Sequence, residues 1–182
     1  MKPCAPFATT QQLRGCSTGF SLIELMVVVS LIAILASLAA PSFTGLIERY
    51  RVESARDNLV SSAQLARIEA IRQGQRVVMR RKTDCPNNDW SCGWISFPDT
   101  NNNAVQDAGE GTIRETETIR GVEISKNNNA DWFAIDRFGQ SAGAIFSFRL
   151  GPQDKSDSVN CIQVAVSMGF RFNSLTGDTL CP

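Results

Sequence analysis

The chain has 182 residues, with 18 basic and 18 acidic side chains, six cysteines, no histidine and 43% hydrophobic residues. That length holds one domain or a small domain with an appendage, and the composition excludes a collagen-like, wholly disordered or strongly basic nucleic-acid-binding class. Without histidine there is no Ser-His-Asp triad, no Cys-His dyad and no histidine-ligated zinc, and no other nucleophile, base and oxyanion set is assembled, so the chain reads as a non-enzyme.

The average hides a division. Residues 20–40, FSLIELMVVVSLIAILASLAA, hold 17 apolar residues and a single charge, Glu24. As a helix this stretch is about 31 Å long, which matches the roughly 30 Å hydrocarbon core of a bilayer. Taken alone it suits a secretory signal peptide or a signal anchor. The order of features differs: a signal peptide has its small-residue cleavage site after the apolar run, whereas here Gly19 and Phe20 form a junction before it. The preceding leader carries Lys2 and Arg14 and no acid, which keeps it cytoplasmic and sends the rest outward. Leu13, Arg14, Gly15 and Cys16 superficially mimic a lipoprotein junction, but no apolar stretch precedes them and Arg14 stands where a small or apolar residue belongs.

An acid in a spanning helix costs about 2.5 to 3.5 kcal/mol on insertion scales and marks a specific partner. Glu24 has two readings. Ser21, Leu22, Ile23 and Glu24 fit the S-x-x-E capping box of a helix start. The alternative is that cleavage after Gly19 frees an amine on Phe20, with which Glu24 pairs on a neighbouring subunit.

The string GFSLIE at 19–24, followed by the apolar run, resembles the class III signal of type IV pilins and type II secretion pseudopilins. The resemblance implies that prepilin peptidase cuts after Gly19 and methylates Phe20, that Glu24 is the fifth mature residue, and that Pro41 is the helix-bending proline of the family. It also implies a single-pass protein of the bacterial inner membrane whose head lies in the periplasm before it enters a pilus or pseudopilus.

After Pro41 comes an amphipathic continuation, 41–74. Val52, Ala55, Leu59, Ala63, Ala66 and Ala70 recur every three or four residues and form one helical face. Charges of both signs lie mostly off it, as a solvated face first and a subunit contact second, and Gly74 is the expected stop. Pro41 is expected to kink or loosen the helix.

From Gln75 the period changes to short apolar or alternating runs: RVVMRR, GWISFP, GTIRETETI, VEISK, DWFAIDRF, AIFSFRL, CIQVAVS and GFRFNS. About eight strands after one long helix predict an α+β head, 75–182, in which a sandwich-like antiparallel sheet packs on the amphipathic half of the helix. The strings ARIEAIRQGQ, FGQSAG and CIQVAVSMGFRF resemble the GspH/FimT branch of minor pilins and pseudopilins. Trp90, Trp94, Trp132, Phe97, Phe133, Phe138, Phe146 and Phe148 are read as core, since aromatics suit half-buried pleated surfaces.

Cys4 and Cys16 leave with the leader. Cys85, Cys92, Cys161 and Cys181 remain, an even number in an exported head, and predict two disulfides. Of three connectivities, Cys85 with Cys92 and Cys161 with Cys181 is preferred because each closes a local loop. A cysteine metal site is the alternative, although the spacings lack CxxC knuckles.

Asp99, Asn101, Asn103, Val105, Asp107 and Glu110 stand at positions 1, 3, 5, 7, 9 and 12 of a calcium-loop pattern, with the Val105 carbonyl at 7. Ala104 replaces the glycine of position 6 and the flanks read as strands, so the other reading is an Asn/Asp-rich hairpin loop bonded to its own backbone. No cofactor is required; Ca2+ is the one cation the loop suggests.

A DNA-receptor reading rests on Arg76, Arg80, Arg81 and Lys82 and on Arg171. DNA-binding members of the FimT side carry a motif resembling Gly-Arg-x-Arg, where residues 169–172 read GFRF. The mature chain has 16 basic against 18 acidic residues, a poor electrostatic footprint for nucleic acid. The competing reading of the 76–82 cluster is the wet edge of a strand leaving the helix.

The expected function is a minor pilin of the tip or initiation complex of a type IV pilus. The alternatives are a minor pseudopilin of type II secretion and a DNA-binding pilin of natural transformation. The implied partners are prepilin peptidase, other minor pilins with the major pilin or pseudopilins, the inner-membrane assembly platform, and lipid.

Overall fold

The computed structural model describes residues 20–83, 89–155, 159–177 and 180–182, with the side chains of 38–42 outside that description. The chain divides into two compact units after Pro41. Helix α1 (Leu22–Gln73) begins in the first and supplies the long helix of the second. Its end follows from Gly74, whose φ of 64° is open to glycine at no steric cost. The Gln75 N–H bonds the Ala70 carbonyl at 3.2 Å and the Gly74 N–H that of Ile71 at 3.3 Å, closing a Schellman motif.

Among the described residues the head has eight strands: β1 (Val77–Arg81), β2 (Trp94–Pro98), β3 (Arg114–Thr116), β4 (Val122–Lys126), β5 (Trp132–Ile135), β6 (Phe146–Pro152), β7 (Ile162–Val166) and β8 (Phe172–Thr176). A 3-10 turn, Trp90–Cys92, precedes β2. The strands make two antiparallel sheets, ordered β3-β2-β1-β5 and β4-β6-β7-β8. The α+β class expected from the change of period is therefore the fold observed.

The six positions of the helical stripe are 0–2% exposed. They join Met79 of β1, Ile124 of β4, Leu150 of β6 and Val164 of β7 in one buried cluster. Four of the six are alanines, leaving little side-chain bulk between the helix backbone and the sheets. Phe133, Phe146, Phe148 and Trp90 stack through this cluster with ring centroids 4.8 to 6.0 Å apart. A second, smaller cluster on the other face of the first sheet contains Val78, Phe97, Ala134 and Ala104.

Two details differ from the sequence reading. Phe138 is 67% exposed and not core. It stands in a turn where the Asp136 carboxylate accepts the N–H groups of Phe138 and Gln140, at 2.9 and 2.8 Å, ending the strand pattern at Ile135. And β1 is no wet edge, since it lies between β2 and β5.

Ala66→Leu forces a larger side chain into a fully buried alanine site. It is expected to destabilise the head by about 1–3 kcal/mol, read as a lower urea midpoint with unchanged slope.

Candidate functional site

The first unit presents an apolar surface. Phe20 is 79% exposed, and from Leu22 to Leu35 the large apolar side chains are 44–77% exposed around the helix. The hydroxyls of Ser30 and Ser37 donate to the carbonyls of Val27 and Ile34 at 2.8 and 2.7 Å, so these polar groups are satisfied within the helix. Ser21 lends its carbonyl to the Leu25 N–H at 3.1 Å, and Glu24 lies in the first turn, where a carboxylate complements the positive end of the helix dipole. Among the described residues no helix is long and apolar enough to cross a membrane. Gly19 lies outside the described residues, and so does the Pro41 side chain.

The loop 99–110 folds on itself. Asp99 is 2% exposed; one of its oxygens accepts the Asn103 N–H and the other the Ala104 N–H, each at 3.1 Å. The Asn101 and Asn103 carbonyl oxygens accept the N–H groups of Asn103 and Val105. Glu110 accepts from Thr100 and from the Asp107 N–H, and these bonds hold its carboxyl below the usual range. Asp107 receives the side-chain amides of Asn101 and Asn103.

These side chain to backbone bonds are those of an Asn/Asp-rich loop that satisfies its own backbone, and Arg76 faces Asp99 at 3.1 Å. Among the described residues no group of three or more Asp, Glu, Cys or His side chains is placed to hold a metal. Ala104, with φ of 57°, stands where glycine is usual because its methyl belongs to the second buried cluster. The loop thus covers the outer face of the first sheet, and the Arg80 guanidinium fixes it by donating to the Ala104 carbonyl at 2.7 Å.

The basic residues are engaged within the head. Arg76 pairs with Asp99 and lies 5.4 Å from the Trp132 ring. Arg80 pairs with Asp131 at 2.6 Å, and Lys82 with Glu115 and Glu117 at 2.7 and 3.1 Å, contacts that hold the lysine's pKa above its usual range. Arg81 donates to the Lys82 carbonyl at 3.4 Å. Arg171 sits apart from them in the turn between β7 and β8, where its N–H meets the Ser167 hydroxyl at 3.1 Å. The preceding Phe170, with φ of 56°, is buried against Phe172.

Cys161 and Cys181 form a disulfide with Cα atoms 5.0 Å apart. It brings the chain end onto β6, where a Cβ at Gly151 would come within 2.8 Å of both the Cys161 Sγ and Pro182. Cys92 is also disulfide-bonded; Cys85, the partner expected for it, lies outside the described residues.

Two polar residues escaped the sequence reading. Asp89 caps the 3-10 turn and also accepts the Ile124 N–H at 2.9 Å, tying that turn to β4. Lys126 is 4% exposed, and burial pushes its pKa down to about 8. The signal for Lys126 was the alternation of VEISK, which puts position 126 in phase with Val122 and Ile124.

Residues 55–169, more than half of the chain, match the family model described as Type II transport protein GspH. The chain belongs to the GspH family. Residues 14–40 match the prokaryotic N-terminal methylation motif. This GspH-family chain is a minor pilin or pseudopilin, a subunit that packs with other pilins, and its membership implies a membrane-anchored, pilus-associated protein.

No curated protein matches it. Among solved structures, the type IV minor pilin FimU of Pseudomonas aeruginosa is similar in two crystal forms. One is 18% identical with a TM-score of 0.59, covering 74% of this chain and 94% of FimU. The other is 16% identical with a TM-score of 0.57, covering 72% and 97%. This likeness concerns the fold. The minor pseudopilin EpsH from the Type 2 Secretion System of Vibrio cholerae is 14% identical over 69% of this chain and 97% of its own, with a TM-score of 0.47.

Asp99→Ala removes the acceptor of two backbone N–H groups and the partner of Arg76. A loss of about 3 kcal/mol in head stability is expected by chemical denaturation.

Proposed function

We propose that the chain is a minor pilin of the tip or initiation complex of a type IV pilus, processed by prepilin peptidase after Gly19 and N-methylated on Phe20. The observation that carries this reading is the stem: apolar and exposed on all sides, with one acid in its first turn. Such a helix is stable only where lipid or other helices surround it. It rests first in the inner membrane, crossing once with the head in the periplasm, and is then moved by the assembly platform into a bundle of neighbouring stems. Glu24 there pairs with the amine of Phe20 on an adjoining subunit. The work is packing, without catalysis, and the head selects the subunits above and below.

The second reading is a minor pseudopilin of type II secretion, favoured by the description of the matching family. The stem chemistry is the same in both. DNA uptake is the weakest reading, because Arg76, Arg80 and Lys82 each face an acid of the head.

Intact mass and amino-terminal sequencing of membrane-extracted protein are expected to find N-methylated Phe20 first. Retained Met1, or a cut beyond Ala40, would overturn the reading. Glu24→Val is expected to insert normally yet enter filaments poorly, measured as its share of sheared pili or pseudopili; normal incorporation would leave Glu24 a capping role only. Ca2+ at residues 99–110 is a secondary proposal, supported by the ligand spacing and by the turn at Ala104. Its expected sign is a rise in melting temperature at millimolar Ca2+ that Asp107→Ala abolishes, and an unchanged melt removes it.

A further inference from the structure

Among the described residues of the head, Lys126 is a buried cation with no ion pair, and a cavity adjoins it. Lys126 ends β4 on the core side. Its Nζ donates to Asn128 Oδ1 and lies 4.9 Å from the centre of the Phe146 ring. An ammonium has three donors, and among the described residues Lys126 forms no ion pair. Asp131, whose charge acts on it, is itself held by Arg80 at 2.6 Å. Burial lowers its pKa to about 8, and the Asp131 charge offsets that only in part.

The cavity beside Lys126 measures about 210 Å³. Trp132, Phe133 and Phe146 line it, and Ala142, Gly143 and Ala144 form an exposed lip of short side chains. The lip is fastened at its root: the Ser141 N–H bonds the Met168 carbonyl and the Ala142 N–H the Ala134 carbonyl, both at 2.9 Å. At ~30 Å³ of liquid volume per water, the space equals roughly seven waters.

A lone ammonium with donors to spare, at the end of a small aromatic chamber, suits a singly charged planar anion with an apolar body. A phosphate group suits it less, since Lys126 is the only basic residue of the lining.

We propose that this cavity is a binding site for a carboxylate borne on a short apolar stem, with Lys126 Nζ as its charged donor. The glutamate side chain or chain end of an adjoining subunit offers that chemistry, and so does a free short-chain carboxylate. The site belongs to the head alone and does not depend on which secretion or pilus system the chain serves.

The test uses the full chain in a zwitterionic detergent. Sodium butyrate is titrated by calorimetry and by tryptophan fluorescence, for which Trp132 is the reporter in the wall; n-butylamine, with the same stem and the opposite charge, is the control. Saturable butyrate binding is expected, with no response to the amine. Lys126→Met is expected to weaken it about tenfold or more while melting no lower than the parent, since a buried charge compensated only in part is gone. Ala144→Leu, which keeps the lysine and narrows the lip, is expected to weaken binding as well.

Carbodiimide coupling of assembled filaments or subunit complexes then separates the sources. An isopeptide between Lys126 and an acid of another subunit assigns the site to assembly, whereas butyrate binding without coupling assigns it to a free carboxylate. Butyrate affinity unchanged in Lys126→Met overturns the proposal, as does a wild-type chain with neither saturable binding nor coupling at Lys126.

Discussion

The constraint on which the molecule depends is that its first unit carries apolar surface on every side. A helix that buries one stripe finds its partner within its own chain, as α1 does through Val52, Leu59 and Ala66. A helix apolar all round has no such partner and must be enclosed by lipid or by other helices. Residues 22–35 are of this second kind, and Ser30 and the following Ser37 return their hydroxyl protons to their own helix. Under the proposed function such a stem passes from bilayer to filament core without exposing its area to water, so the free-energy difference between the two states is small compared with the cost of exposing it in solution.

The head answers a different requirement, that of a rigid block with its chemistry turned inward. Alanines at 55, 63, 66 and 70 are fully enclosed between helix and sheets, which leaves little room for rearrangement. Charges of the helix surface pair along it, Arg49 with Glu53 and Arg72 with Glu69, both over one turn. Arg80 of β1 and its flanking Arg76 and Lys82 pair with acids of neighbouring loops and strands. The second cluster under loop 99–110 extends the same logic to the outer face of the first sheet. The loop turns at Ala104, whose φ is 57° and whose methyl fills a core position. Its acids are taken up by backbone donors, by the amides of Asn101 and Asn103, by the Thr100 hydroxyl and by Arg76.

Periodicity made much of this legible. The helical stripe was readable because period 3.6 persisted through five turns, and the strands because alternation and turn residues agreed. What escaped was decided by a local turn in one case and by tertiary position in the others. Phe138 belongs by type to the core but falls two residues after Asp136, whose carboxylate turns the chain outward. The cluster at 76–82 reads as a basic patch in the sequence, yet its counter-charges come from residues 99, 115, 117 and 131, which only the sheet brings near. Lys126 was in phase with the core, but lysine at such a position reads as a strand end in solvent until the cavity beside it is seen.

Magnitudes decide what Glu24 must do. A carboxylate in the first turn of a helix gains about 0.3–1 kcal/mol from the helix dipole. Carrying an acid into the apolar phase costs about 2.5–3.5 kcal/mol on insertion scales. Where neighbouring helices enclose Glu24 as fully as a helix centre, capping alone therefore leaves a deficit of roughly 2 kcal/mol. An amine at the start of a neighbouring stem removes that deficit when it lies within ion-pair distance, and the gain vanishes with a shift of one helical turn, about 5.4 Å. Apolar contacts along the stem vary little under such a shift, because its side chains are alike on all sides. Under the proposed function the lone acid is the group that distinguishes one axial offset from the next, and apolar packing supplies the strength of an assembly whose register it does not set.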